Sequence, residues 1–444
     1  MDVTRENFEK VLREFEAAIA QCDFVAIDME MTGLYESKEL QPSRLDTLDE
    51  RYAKLKRSVE LYGVIQVGVC LFTWVDGHKQ GQREGAAAAT DGGTDDPGGG
   101  ADETANGTGD VGGYYEARPF NFNVFPSSSV GGIAVDAHFG CKSSAFEFLA
   151  RNSFDFNKWV YQGVPYLRTE DAERIRKERM AMLTSRQRKI DADDRHREFV
   201  RDFEVALGAF VDSGEQVLRY ETGNSYQRKL IHNIVSSHDT LGTRGRNDCI
   251  EIFKGSRSAM AKHTAQKIKT LNQNVKNARG FCAVIDLLSA ARKPVVGHNM
   301  LLDVLHAFSK FHRPLPARRE EFERALAQFL PVLIDTKFII ESTPGIKDRY
   351  GTSSLDEIAP MLEREAGSGL ASIRLHPRFT RSASRNMHEA GYDAYMTGAS
   401  FIRLLKLDGG VSRAAEQSSE LVLYRYINKL HLSTATAKFW AMAS

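Results

Sequence analysis

The sequence predicts an α/β domain with a mixed central sheet and a small α+β unit inserted into it. Three observations lead there. Apolar, β-branched runs of strand length alternate with amphipathic helical stretches along most of the chain. From Thr169 a highly charged helical segment interrupts that alternation. A low-complexity run nearly free of large apolar residues separates two of the early strands. At 444 residues there is room for more than one domain, or for one domain with insertions.

The first element, "TRENFEKVLREFEAAIAQC", sets Phe8, Val11, Leu12, Phe15 and Ile19 on one helical stripe, with Thr4 as N-cap. It leads into "DFVAIDMEMTG" (23–33), whose apolar start from Phe24 to Ile27 is the opening strand. "GVIQVGVCLFTW" (63–74) is long and β-branched enough for a central strand, and "FNFNVFP" (120–126) alternates with period two and ends at Pro126. These first three strands are expected to be antiparallel. Between the second and third lies an acidic Gly-rich run, about 80–113, that cannot bury enough surface to offset its ordering entropy and is expected to be a disordered loop.

The charged stretch from Thr169 to Val211 reads as one long helix or two. "YQRKLIHNIV" (226–235) reads as a helix and "DCIEIFKG" (248–255) as a short strand. Residues 165–256 are therefore taken as the inserted unit, 1–164 and 257–435 as the two parts of the larger domain, and 436–444 as a tail. The larger domain resumes with a helix up to "FCAVIDLLSAARKP". The strand "VVGH" (295–298) and a helix from "NMLLDVLHAF", N-capped by Asn299, come next. The helix "EEFERALAQFL", the strand "VLIDTKFII" (332–340) and a last helix, "HEAGYDAYMTGASFIRLL", follow.

Composition narrows the function. Hydrophobic residues at 42% and charged ones at 27% are those of a globular protein. Lys plus Arg and Asp plus Glu both total 59, which excludes coating nucleic acid by bulk charge, so a nucleic-acid partner must sit in a local groove. No apolar run approaches the roughly 18 residues of a membrane span, and "MDVTRENFEK" has no basic or apolar leader region. A soluble, intracellular protein without a membrane partner is expected. The 5 cysteines include no C-x-x-C pair, which fits reduced thiols, mostly core residues, and no zinc site.

Polar residues at three places break apolar patterns. Asp28 and Glu30 share one face of the opening strand, roughly 6.5 Å apart by the strand rise. Carboxylates that close repel unless a cation lies between them, or the strand has simply reached water. Asp303 stands among Met300, Leu301, Leu302, Val304 and Leu305, where an ionised acid is costly unless paired; it also fits the polar side of the helix beside His306. His388 and Asp393 open the last helix, where Gly391 points to a close backbone approach or to His388 on the entering loop. Structural burial of the histidine and a dipole role for the acid also fit.

Taken together, D-x-E, N-x-x-x-D and H-x-x-x-x-D in this order resemble the DEDDh group of 3′ exonucleases, in which four acids bind two Mg²⁺ ions. "FVAIDMEMTGL", "FLARNSFDFNKWVYQGVPYL", "VVGHNMLLDVLH", "LIDTKF" and "HEAGYDAYMTG" resemble more closely the poly(A)-specific ribonuclease family of deadenylases, over most of the chain outside the acidic loop. The resemblance implies a ribonuclease H-like DEDD exonuclease fold with a small inserted RNA-binding domain named for an Arg-x-x-x-His motif, matched here by Arg228 and His232. It implies Mg²⁺-dependent 3′-to-5′ removal of poly(A) from single-stranded RNA with release of 5′-AMP, Mn²⁺ being an acceptable substitute. It also implies a homodimer in cytoplasm or nucleus.

By the same resemblance Asp28 bridges both ions, Glu30 and Asp393 hold the ion carrying the attacking water, and Asp303 supports the other. His388 is the general base; a histidine, with an ordinary pKa of about 6.5, can take that proton. Met31, Leu34 and Lys337 would face the terminal nucleotides. Met31 stands where an aromatic residue is expected, and core packing fits Met31 and Leu34 equally well. Longer family members continue into an RNA-recognition-motif domain that binds the cap. This chain ends at "KFWAMAS", so cap-stimulated activity is not expected. A trimmer of small non-coding RNA 3′ ends and a catalytically inactive RNA-binding pseudonuclease are the alternatives.

Overall fold

A mixed sheet forms the centre of the computed structural model, which describes residues 1–76, 113–134, 137–184, 190, 192–366, 372–379, 388–407, 424–432 and 439–442. The acidic Gly-rich loop falls within 77–112, outside the described residues. The chain divides into two compact units. One comprises residues 1–129, 134–169 and 279–444, and the other 130–133 and 170–278. The helix that the sequence reading gave to the resuming domain, from 257 onward, therefore belongs to the second unit as far as Ala278.

In the first unit β1 (Asp2–Val3) precedes α1 (Phe8–Ile19), β2 (Phe24–Met31), α2 (Leu48–Leu61), β3 (Val64–Val75) and β4 (Tyr114–Asn123). Thr4 does not cap α1. The helix starts after Asn7, whose Oδ1 accepts from the Thr4 amide at 2.9 Å. A capping box between Thr47 and Glu50 starts α2. Helix α3 (Ser143–Arg151) follows β4.

The second unit contains α4 (Arg197–Asp212), β5 (Val217–Glu221), α5 (Ser225–Val235), β6 (Leu241–Gly245) and β7 (Cys249–Lys254). Its antiparallel sheet, in the order β5-β7-β6, buries Ile250 and Ile252 against Phe203, Leu207 and Phe210 of α4 and Ile231 and Val235 of α5. The charged stretch forms two helices, Thr169–Thr184 and α4.

The first unit then resumes with β8 (Val295–Gly297), α6 (Leu301–His306), α7 (Arg319–Phe329), β9 (Leu333–Asp335), α8 (Thr336–Ser342), α9 (Leu355–Ala366), β10 (Ile373–Leu375), α10 (Ala390–Leu407), β11 (Lys429–His431) and β12 (Phe439–Ala441). The sheet order is β1-β4-β3-β2-β8-β9, with β10 also on β4. Strand β3 is antiparallel to both β2 and β4, as expected, and β8 is parallel to β2 and β9. This order and sense are those of the ribonuclease H-like fold.

Two sequence expectations change here. The run 332–340 is a strand only to Asp335, where the Asp335 side chain accepts the Lys337 amide and starts a helix through the β-branched "FIIES". Asn299 does not cap α6. It lies in the left-handed region (φ 58°), and the N-cap position is Met300, without a side-chain cap. Near the chain end, β11 pairs with β12 and fully buried Trp440 donates its Nε1 to Glu323 Oε1 at 2.6 Å. That part of the predicted tail is integral to the unit. Cys22, Cys70 and Cys282 are buried, Cys141 is exposed and Cys249 half-buried, all as free thiols.

Candidate active site

Strand alternation prepares the site. Phe24 and Ala26 of β2 belong to the core shared with α10, and Val25, Ile27 and Met29 to the core on the other side. Phe24 stacks on Phe72 at 4.7 Å and meets the edge of Phe401 at 5.1 Å. Asp28 and Glu30 continue the Phe24–Ala26 face, so the polar end of β2 meets the start of α10.

Two glycines permit the meeting. Gly68 of β3 pairs with Asp28, and a Cβ there would lie 1.7 Å from the Ala390 carbonyl oxygen. A Cβ on Gly391 would lie 2.7 Å from Asn121 Cβ, which bears out a close backbone approach. Side chains from the sheet hold the helix start. Ala390 donates its amide to Gln66 Oε1 at 3.4 Å and Gly391 to Asn121 Oδ1 at 3.3 Å.

The result is a cluster. Glu30, His388 and Asp393 each bring one ligand atom within 4.8 Å of the others. His388 stands in the turn entering α10 at φ 68°, and the Asp393 carboxyl accepts its amide. Asp303, in α6 and 9% exposed, accepts from the Met29 backbone. The charges of Asp393, Asp303 and Glu30 all act on Asp28. The structure thus brings together all five residues that the motifs picked out.

The cluster is electrostatically unfavourable by itself. Burial, and then repulsion by Asp393, Asp303 and Glu30, push Asp28 well above the usual carboxylate range. Burial and repulsion by Asp393 and Asp303 raise Glu30 to about 8. Burial first, then Asp335, raises Asp303 to about 7, and burial with Asp356 raises Asp393 to about 7. Asp393 Oδ1 is buried without a hydrogen-bond partner. These are the marks of a site built for positive charge, and hard oxygen donors in this number fit Mg²⁺ or Mn²⁺.

Two acids went unnoticed in the sequence. Asp356, in the first turn of α9, lies 3.9 Å from His388 Nε2. Its surroundings, "SSLDEIAPML", carry no ligand spacing that could have marked it. Asp335 is fully buried and accepts the amides of Asn299 (2.8 Å), Met300 (3.3 Å), Lys337 (3.0 Å) and His431 (3.0 Å). It thereby fixes the turn from β8 into α6, and so the helix that carries Asp303. A polar break inside "VLIDTKFII" was its signal.

The proposed RNA-contacting residues belong to both units. Met31 is buried in the core with Met29, Leu34 is 51% exposed, and Lys337 is half-buried at the start of α8. Arg228 and His232 belong to the second unit. Arg228 donates to Thr222 Oγ1 and to the Arg246 and Asn247 carbonyls, and His232 Nδ1 pairs with Thr243 Oγ1 at 2.8 Å. Both tie α5 to its sheet and the adjoining turns.

The fold is the mixed-sheet class that the motifs imply, with their carboxylates gathered at the end of β2. Comparison with known proteins gives the family: the model of the CAF1 family ribonucleases matches residues 3–401, and the chain belongs to that family. It is 30% identical to a poly(A)-specific ribonuclease PARN of Danio rerio over 97% of this chain and 64% of that protein. It is 26% identical to a pre-piRNA 3′-exonuclease trimmer of Bombyx mori, over 91% of this chain and 71% of that one. The chain thus spans slightly less than two thirds of the Danio rerio protein's length. A solved structure, S. pombe Pop2p in its Mg²⁺- and Mn²⁺-bound form, aligns with 93% of this chain and 95% of its own, at 14% identity and a TM-score of 0.40.

Proposed function

We propose that the chain is a divalent-metal-dependent 3′-to-5′ exoribonuclease that shortens poly(A) and releases 5′-AMP. The carrying observation is the cluster of Asp28, Glu30, Asp303 and Asp393, whose carboxyls are raised by burial and mutual repulsion beside His388. Those four acids would hold two Mg²⁺ ions, with Mn²⁺ as an acceptable substitute. Bound there, the ions supply positive charge against the phosphoryl oxygens and the leaving 3′ oxygen. His388 takes the proton from the attacking water as general base.

Leu34 and Lys337 contact the terminal nucleotides, whereas Met31, 8% exposed, is left to core packing. The second unit, with Arg228 and His232, serves as the RNA-binding domain, and the working state is a homodimer in cytoplasm or nucleus. Poly(A) as substrate is supported by the relatives named poly(A)-specific ribonuclease. A second reading, trimming of small non-coding RNA 3′ ends by the same residues, draws support from the trimmer relative and from the methionine, rather than an aromatic residue, at position 31. An RNA-binding pseudonuclease fits less well, because binding alone gives no use for four repelling carboxylates.

The test is a time course with Mg²⁺ on oligo(A) and oligo(U) RNA, beside Asp28→Ala. Stepwise AMP release from oligo(A) alone, reduced more than about 10³-fold in the variant, is the expected result. Equal trimming of both RNAs moves the function to general 3′-end processing, and no release from either overturns the nuclease reading.

A further inference from the structure

One carboxylate at the cluster is not accounted for by the four acids. Asp356 Oδ2 faces His388 Nε2 at 3.9 Å, ion-pair distance for a protonated ring. We propose that Asp356 is a positioning residue for His388: its carboxylate, on the neighbouring helix α9, faces the imidazole and sets the orientation of the ring. This rests on the exonuclease reading above.

An acid in the first turn of a helix is ordinarily explained by the helix dipole, and Glu357 beside it sits in the same turn. The two differ in direction. Glu357 accepts from Thr352 Oγ1 and so closes its own turn, whereas Asp356 points at the histidine. Among the described residues, His388 is the one cation-capable group within 4.0 Å of the Asp356 carboxylate.

His388 also needs a holder. It precedes α10 at φ 68°, a backbone region that residues other than glycine rarely adopt, so the regular helix does not fix its side chain. Its ring meets Phe148 of α3 with centroids 4.8 Å apart and planes at 70°, a contact that limits tilt but carries no charge. Glu30 and Asp393 are near as well, yet the exonuclease reading gives both to the cations; Asp356 adds to the repulsion on them but stands outside the four acids of that reading. Asp356, with its side chain 38% exposed, is the acid left to serve the ring. Carboxylate and imidazole would then serve the attacking water of the exonuclease reading as orienting group and base, roles used by hydrolytic sites generally.

The experiment uses the full chain with Mg²⁺ and oligo(A), comparing Asp356→Asn, Asp356→Glu, Glu357→Gln, His388→Ala and the Asp356→Asn/His388→Ala double variant. Asp356→Asn is expected to lower kcat at least about tenfold, with KM, Mg²⁺ half-saturation and Tm close to those of the unmodified chain. Asp356→Glu should restore part of the loss and Glu357→Gln should show none. In the double variant, the added Asp356→Asn should cost nothing beyond His388→Ala. In metal-free protein, the His388 ring resonances should move in Asp356→Asn but not in Glu357→Gln.

Additive losses in the double variant would overturn the proposal. So would unchanged kcat in Asp356→Asn, or a kcat recovered by raised Mg²⁺, which would make Asp356 a servant of the cations. An unmodified chain that releases nothing would bring down the exonuclease reading itself and this proposal with it. An active unmodified chain with an indifferent Asp356→Asn would overturn the positioning role alone.

Discussion

Asp335 and Asp393 are both buried aspartates in the first unit, and their surroundings are opposite. Asp335 is fully buried and receives four backbone N–H groups, from Asn299, Met300, Lys337 and His431. Asp393, 6% exposed, receives the His388 amide but leaves Oδ1 without a partner, and Asp356 and Glu389 raise it further. A buried carboxylate surrounded by donors is a structural device. One buried beside other carboxylates with an oxygen left over is poised for something that the protein alone does not provide.

The comparison is broken most severely by Asp335→Ala. That change strands four amides in the interior and frees the turn that carries α6. Loss of a buried charged acceptor costs about 3 kcal/mol or more, so the denaturant midpoint should fall sharply and activity with it. Asp28→Ala, the companion change in the cluster, should leave the midpoint unchanged or raised. If both variants lost equal stability, the division between a satisfied and a poised carboxylate would be wrong.

That division was only half legible in the sequence. Asp28, Glu30, Asp303, His388 and Asp393 stood out as polar breaks at a strand end and two helix starts, and their order became readable as one set only through its resemblance to the DEDDh exonucleases. The first three strands could be read from their apolar, β-branched runs. Asp335 was seen as the interior of a strand because "FII" after it is β-branched; a side-chain cap at one residue outweighed that propensity. Asp356 has no local signature at all. It reaches His388 only through the packing of α9 beside α10, a long-range fact that no window of sequence contains. Gly68 was similarly invisible, an unremarked residue in a central strand until the Ala390 carbonyl is seen above it.

Gly68→Ala sharpens the comparison with a smaller expected effect. The added methyl would meet backbone rather than a flexible side chain, so the start of α10 must lift away from β3. Overpacking of this kind costs about 1–3 kcal/mol. The displaced residues include His388 and Asp393 but not Asp335, so the rate of nucleotide release should fall far more than stability does. A variant that lost stability with no change in rate would mean that the α10 approach does not set the geometry of the cluster.

The smallest effect expected is on the pH dependence of the metal-free chain, and its sign follows from the raised carboxyls. Glu30 at about 8 and Asp303 and Asp393 at about 7 titrate above the ordinary carboxyl values near 4 that the unfolded chain shows. Between those limits the unfolded chain has released protons that the folded one still holds, so the contribution of these acids to folding stability is complete below about pH 4 and declines as pH rises to about 8. Asp335 is also raised by burial, but its four amide donors oppose the shift and it has no vacant oxygen for an ion. Mg²⁺ should therefore act on the cluster alone. It must displace the cluster's protons to bind, which is harder at low pH, so its stabilisation should be larger at pH 8 than at pH 5. The buried histidines His298, His306 and His431, held at about 3 to 4, act with the opposite sign, so the readout is the difference from Asp28→Ala: between pH 5 and pH 8 the Tm of the chelated protein should fall by several °C relative to that variant, with millimolar Mg²⁺ recovering the loss. A chelated protein whose Tm followed the same pH trend as Asp28→Ala would mean that the acids are already satisfied without a cation, and the contrast between Asp393 and Asp335 would disappear.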